Sequence, residues 1–158
     1  DPLDLVNPYR FQDPLAPAIA AEREGKRISI RRIVSAFHSL ARKHTYMLVE
    51  GAGGIMVPLT TGHYYLDLAG ILNLPVLVVA RPGLGTINHT LLTVMALRSR
   101  RLRIAGIVIN HRSKKRLGLA ERAGPPAIER LSGAPIIGHI RHGQKDLRTI
   151  MRYLLMLK

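Results

Sequence analysis

Four apolar runs punctuate the chain, and helical patterns fill the spaces between them. Tyr46-Met47-Leu48-Val49 is short and leads straight into a glycine cluster. Val76-Leu77-Val78-Val79-Ala80 is unbroken and ends at Arg81-Pro82-Gly83, while residues 104–109 end at Asn110. The fourth run, 135–140, ends at Arg141-His142-Gly143. Continuous apolar runs mark strands of a parallel sheet covered on both faces, whereas a half-exposed sheet would show alternation. Ser29 is placed to cap a helix over 30–43, with Ile33, Val34, Phe37 and Leu40 on one face. Further helices are predicted over 65–72, 86–100, 126–131 and 147–157, with 111–126 as a mobile loop. Strand–helix repetition with short loops predicts an α/β fold, a mainly parallel sheet with helices on both faces, in a single domain over 1–158. Ligands of such sheets gather at the carboxyl ends of the strands.

Composition narrows the class. With 158 residues, 47% of them hydrophobic, the chain can bury a core and is not of the disordered type. There is no Cys, which excludes disulfides and thiolate metal sites and fits a reducing cytoplasm. No run approaches the length of a membrane span, and Asp1-Pro2-Leu3-Asp4 has neither the basic start nor the apolar core of a signal peptide. The net charge of +14 suggests nucleic acid or phosphorylated ligands. Yet the basic residues run from Arg10 to Lys158, and two Phe, five Tyr and no Trp leave little for base stacking. The charges are therefore expected to form solvated helix and loop faces, with nucleic acid an unfavoured partner.

The chemistry-bearing residues sit at the strand ends. In Glu50-Gly51-Ala52-Gly53-Gly54 a carboxylate at a strand tip precedes three glycines in four residues, which lets backbone approach an anion. Glu50 is placed to hold Mg²⁺ through one carboxylate oxygen; the alternative is a solvated glycine turn. In Gly83-Leu84-Gly85-Thr86-Ile87-Asn88-His89, Thr86 can cap a helix whose first amides would bind an anion, unless the loop merely caps well. No Lys follows these glycines, so a carboxylate suits them better than nucleotide phosphate. The Asn110 amide, followed by His111, has the donor–acceptor pair that matches an adenine edge, though Asn is also an ordinary turn residue. His139 and His142 straddle a strand end and do not make a metal pair.

Taken together, these segments resemble dethiobiotin synthetases, relatives of the P-loop NTPases. The resemblance rests on Asn7-Pro8-Tyr9-Arg10-Phe11-Gln12-Asp13-Pro14-Leu15-Ala16-Pro17 leading into Ala20-Ala21-Glu22, on Val49-Glu50-Gly51-Ala52-Gly53-Gly54, and on Gly83 through Thr93. It implies ATP- and Mg²⁺-dependent closure of 7,8-diaminononanoate and CO₂ into dethiobiotin in a cytoplasmic homodimer. Carried over by position, it implies that Glu50 binds Mg²⁺ and that Glu50, Gly51, Ala52 and Gly53 border the nucleotide phosphates. Gly54, Gly85, Thr86, Ile87 and Asn88 would border the substrate, its carboxylate bound across the dimer interface. Asn110, His111, Arg141, His142 and Gly143 would contact the base.

The family pattern begins with a strand, a GxxxxGK[ST] loop and a helix, and the catalytic Lys belongs to that segment; this chain shows none of them. The fold expected is thus P-loop NTPase-like without the N-terminal strand–loop–helix, leaving apolar edges unpaired. The chain alone is expected to make no dethiobiotin. Arg141 stands where Pro is expected, and Arg101 where Gly would end a helix well. Two other readings stay open: a non-catalytic fragment, and a basic module that binds nucleic acid.

Overall fold

The segment Ile104–Asn110 is the most deeply buried strand, because Ala105, Ile107, Val108 and Ile109 have no polar side-chain atom to keep in water. In the computed structural model, which describes residues 1–113 and 116–156, it lies between two parallel neighbours. The chain divides into two compact units, 1–73 and 74–158.

In residues 74–158, β3 (Val76–Ala80), β4 (Ile104–Asn110) and β5 (Ile136–Ile140) form a parallel sheet in the order β3-β4-β5. Val78 pairs with Ile107, and Ile109 with His139. Helix α5 (Thr86–Ser99) buries Thr90, Val94 and Leu97 and packs against β3 and α6. Helix α6 runs from Leu119 to Ser132, seven residues earlier than the pattern predicts, and so takes up part of the expected loop. Proline ordinarily breaks a helix interior by removing an N–H and crowding the preceding turn. Here Pro125 is buried beside Gly124 in the middle of α6, and tertiary packing holds the turn. Helix α7 (Arg148–Leu155) seats Ile150 against β5; the expected last residue, Leu157, lies outside the described residues.

In residues 1–73, α1 (Leu3–Val6), α2 (Pro17–Arg23) and α3 (Ile30–Ala41) precede a hairpin of β1 (Pro58–Thr60) and β2 (His63–Tyr64), and α4 (Tyr65–Leu72). Ser29 caps α3 as expected, its Oγ accepting the Arg32 N–H at 3.3 Å. The Asp67 carboxylate accepts the Tyr64 N–H at 2.8 Å and fixes the start of α4. The short hairpin has too few residues to show a period and was not expected. The strand expected at 46–49 is absent. A strand requires a ladder, and residues 46–49 are assigned to none, with Leu48 84% exposed.

Arg101 adopts φ 55° directly after α5. The Leu102 N–H reaches back to the Leu97 carbonyl at 3.0 Å and the Arg101 N–H to Arg98 at 2.9 Å, a left-handed helix stop that favours glycine. The Cβ penalty there is about 1–2 kcal/mol, offset in part by glycine's extra unfolded freedom. Arg101→Gly is therefore expected to stabilise the chain by about 1 kcal/mol, a Tm rise of about 2–4 °C for this size. Thermal unfolding by circular dichroism checks this, and an unchanged or lowered Tm would show that the arginine's contacts outweigh its backbone strain.

Candidate functional site

In residues 74–158 the parallel sheet carries three loops from its carboxyl edge. β3 leads into 81–85, β4 ends at Asn110-His111, and β5 leads into 141–147. The structure brings Asn110, His111, Arg141, His142 and Gly143 together at the ends of two adjacent strands, with Asn110 opposite Ile140 in the ladder. The His111 N–H extends that ladder to the Ile140 carbonyl at 2.8 Å. His139, Arg141, His142, Gly143, Gln144 and Asp146 line an open depression of about 690 Å³ beside it.

Arg141 is where the family pattern would place proline, and the local hydrogen bonds show why arginine fits. Its backbone N–H donates to Gln144 Oε1 at 3.0 Å, while the Gln144 N–H returns to the Arg141 carbonyl at 2.9 Å. Proline would leave Gln144 without that donor. Asp146 then holds the following helix start, accepting the Arg148 N–H at 3.0 Å and pairing with its guanidinium. That pairing holds the Asp146 carboxyl below the usual carboxylate range.

The residue missed at this edge is His139. Nε2 of His111 lies 3.3 Å from Nδ1 of His139, while the ring centroids are 5.6 Å apart with planes only 28° from parallel. Two ring radii account for the difference, so both nitrogens lie near the line joining the rings. That is the geometry of an N–H···N hydrogen bond; two lone pairs converging on a metal would point elsewhere. Among the described residues no group of three or more His, Asp or Glu could hold a metal ion. In the tautomers with one nitrogen donating and the other accepting, the outer nitrogens have opposite roles, one donor and one acceptor. Reading two parallel strands in register would have found the pair; pattern along one strand could not.

The β3 loop corrects one detail. Thr86 does not cap α5: it is the first helical residue, buried, and would touch a Cβ placed on Gly124. The cap is Gly85, at φ 83°, which has no side chain to accept the first-turn amides. His89 N–H returns to the Gly85 carbonyl, and in the first turn Ile87 is half-buried and Asn88 exposed.

In residues 1–73, Glu50, Gly51, Ala52, Gly53 and Gly54 form an exposed turn. Its glycines have separate reasons. A Cβ on Gly51 would lie 3.0 Å from the Tyr65 ring, and Gly53, at φ 92°, would meet Val57 at 3.0 Å. Only at Gly54 is the space open, with nothing within 4 Å.

A family model described as an AAA domain matches residues 1–145. Among solved structures, the ParA family ATPase from Chlorobium tepidum TLS has a TM-score of 0.54, covering 82% of this chain and 48% of that one at 20% identity, a likeness of fold. The class is an α/β AAA-domain protein. ATP-dependent dethiobiotin synthetase BioD of Anaeromyxobacter sp. (strain Fw109-5) is 45% identical over 154 residues, 98% of this chain and 68% of its own length. The synthetase of Anaeromyxobacter dehalogenans (strain 2CP-C) is 57% identical over 110 residues, 70% of this chain and 49% of that protein. That of Bacillus subtilis (strain 168) is 44% identical over 133 residues, 84% and 57%. The chain spans about half the length of several of these relatives, and it belongs to the dethiobiotin synthetase family.

His111 is pushed below the ordinary histidine range, first by desolvation, then by the charges of His139 and Arg141. The shift favours the neutral imidazole. The unfolded chain binds this proton more readily, so the contribution to stability is present above the ordinary range and is lost as pH falls through the depressed value. Arg141→Gln is expected to raise the His111 titration midpoint in side-chain NMR, and a midpoint that stays put would remove Arg141 as a cause.

Proposed function

We propose that this chain supplies the base-binding, carboxylate-binding and one metal-binding part of an ATP-dependent dethiobiotin synthetase. The observation that carries the reading is 45% identity across 98% of the chain with a protein of that name. The reaction joins 7,8-diaminononanoate and CO₂: one amine forms a carbamate, ATP phosphorylates it, and the second amine closes the ring with loss of phosphate. Such a reaction depends on positioning and charge neutralisation more than on covalent help from the protein.

Each part of the site has a physical task on this reading. The Asn110 carboxamide offers a donor and an acceptor to the adenine edge, and the His111–His139 pair beside it offers one of each to the same neighbourhood. Arg141, His142 and Gly143 border the base from the next strand. The uncapped start of α5, from Gly85 through Thr86 and Ile87 to Asn88, suits the substrate carboxylate, because its amides point outward with the positive end of the helix dipole. A homodimer would complete that pocket.

Glu50 to Gly53 border the phosphates and the carbamate, and open Gly54 leaves room for substrate. Glu50 is a single exposed carboxylate, which fits Mg²⁺, an ion commonly held by one or two carboxylates with water and phosphate oxygens. When bound, that ion would neutralise charge developing on the phosphoryl oxygens. A cytoplasmic location accords with this chemistry.

In the complete synthetase, Glu50→Gln is expected to lower turnover at limiting Mg²⁺ by roughly tenfold or more, at the scale on which supporting groups of metal sites act. Turnover that follows the same Mg²⁺ dependence as the parent would take Glu50 out of the metal site.

A further inference from the structure

Counted over the whole chain the basic residues look dispersed; divided at Asn73 they do not. Residues 1–73 hold 8 of the 24 Lys and Arg and 7 of the 10 Asp and Glu. Residues 74–158 hold the other 16 and 3, so the two segments carry +1 and +13. Twelve of those 16 cations are Arg. Of the three acids, Asp146 is paired with Arg148 and Glu129 accepts the Ile136 N–H. A field of this sign over 85 residues calls for a polyanion.

The nucleotide reading accounts for only part of the charge. Arg81, Arg112, Arg141, Lys145 and Arg148 lie at or beyond the carboxyl ends of the strands, where phosphates are expected. A second group lies at the other edge of the same sheet. The parallel topology brings the ends of α5 and α6 and the starts of β3 and β4 there. Arg98 is in the last turn of α5, Arg101 and Arg103 stand between α5 and β4, and Arg130 is in the last turn of α6. All four are exposed.

Two of them have close neighbours at this edge. The Arg98 guanidinium lies 3.6 Å from the Cβ position of Gly133, the residue that ends α6, and the Arg103 carbonyl accepts the Val76 N–H at 2.8 Å. Helix dipoles account for Arg98 and Arg130, each near a carbonyl end. They do not account for Arg103, nor for Arg101, which keeps a bulky cation at a left-handed position made for glycine.

We propose that this amino edge of the sheet, formed by Arg98, Arg101, Arg103 and Arg130, docks the phosphate backbone of duplex nucleic acid. The preference for Arg suits bidentate contact with phosphate oxygens. The residue types define the mode as well. Residues 74–158 contain no Phe or Trp and Tyr153 as their one Tyr, so large stacking platforms are lacking and contact is with the backbone, independent of sequence. The surface is separate from the carboxyl-edge site and does not rest on the synthetase reading.

The test is fluorescence anisotropy of the 158-residue chain with a labelled mixed-sequence duplex across a salt series. Binding is expected, with an affinity that falls steeply as salt rises. Replacing all four arginines by Ala should flatten the log–log salt slope by about 3 to 4, since each phosphate neutralised contributes about 0.9. A triple Gln variant at Arg81, Arg141 and Arg148 should change the slope less. Arg101→Gly alone separates binding from folding: it should weaken duplex binding while raising Tm. Absence of binding at low salt, or an unchanged slope in the quadruple variant, would overturn the proposal. So would binding to anionic phospholipid vesicles without binding to duplex.

Discussion

The backbone ladder of β4 is the constraint on which the rest of residues 74–158 depends. Its groups are bonded on both sides, to β3 and to β5, and its side chains at Ile107 and Ile109 are fully buried. A strand satisfied on both edges and covered on both faces is held in one register, since a slip would break both ladders and the close packing of its side chains. Everything chemical in this unit is placed by that register. Asn110 and His111 emerge where the ladder ends, and the pairing of Ile109 with His139 sets the distance at which the two imidazoles meet. At the other end, the same strand begins immediately after Arg101 and Arg103.

The two edges of this sheet thus do different electrostatic work. At the carboxyl edge, cations stand beside hydrogen-bonding groups with direction: a carboxamide, a histidine pair and a turn closed by Gln144. Such groups select a ligand, because an unpaired donor or acceptor is costly. The amino edge carries Arg98, Arg101, Arg103 and Arg130, and a surface rich in exposed cations responds chiefly to charge and spacing. In residues 1–73 the balance of 8 cations against 7 acids leaves no net field of note, and Glu50 is set in a region that does not repel a metal cation strongly.

Much of this was legible in the sequence where a single segment decided its own structure. The strands at 76–80 and 104–110 declare themselves as unbroken apolar runs, and α4 and α5 as helical spacings. Ser29 and Arg101 were readable because a cap and a left-handed stop depend on a few adjacent residues. What was illegible depended on partners. The run at 46–49 has strand composition but no ladder, and Pro125-Pro126 hides a helix that packing sustains. Gly51 and Gly53 read as openings for a ligand, whereas Tyr65 and Val57 press against them. His139 joined the site only through the register of two strands distant in sequence.

The carboxyl edge set by β4 and β5 is proposed to receive a nucleotide base. Backbone amide NMR of the chain titrated with adenosine tests it without requiring phosphates, metal or turnover. Saturable shifts centred on Asn110, His111 and residues 139–144 are expected. Shifts centred instead on residues 98–103, or a spectrum unmoved at saturating adenosine, would contradict it.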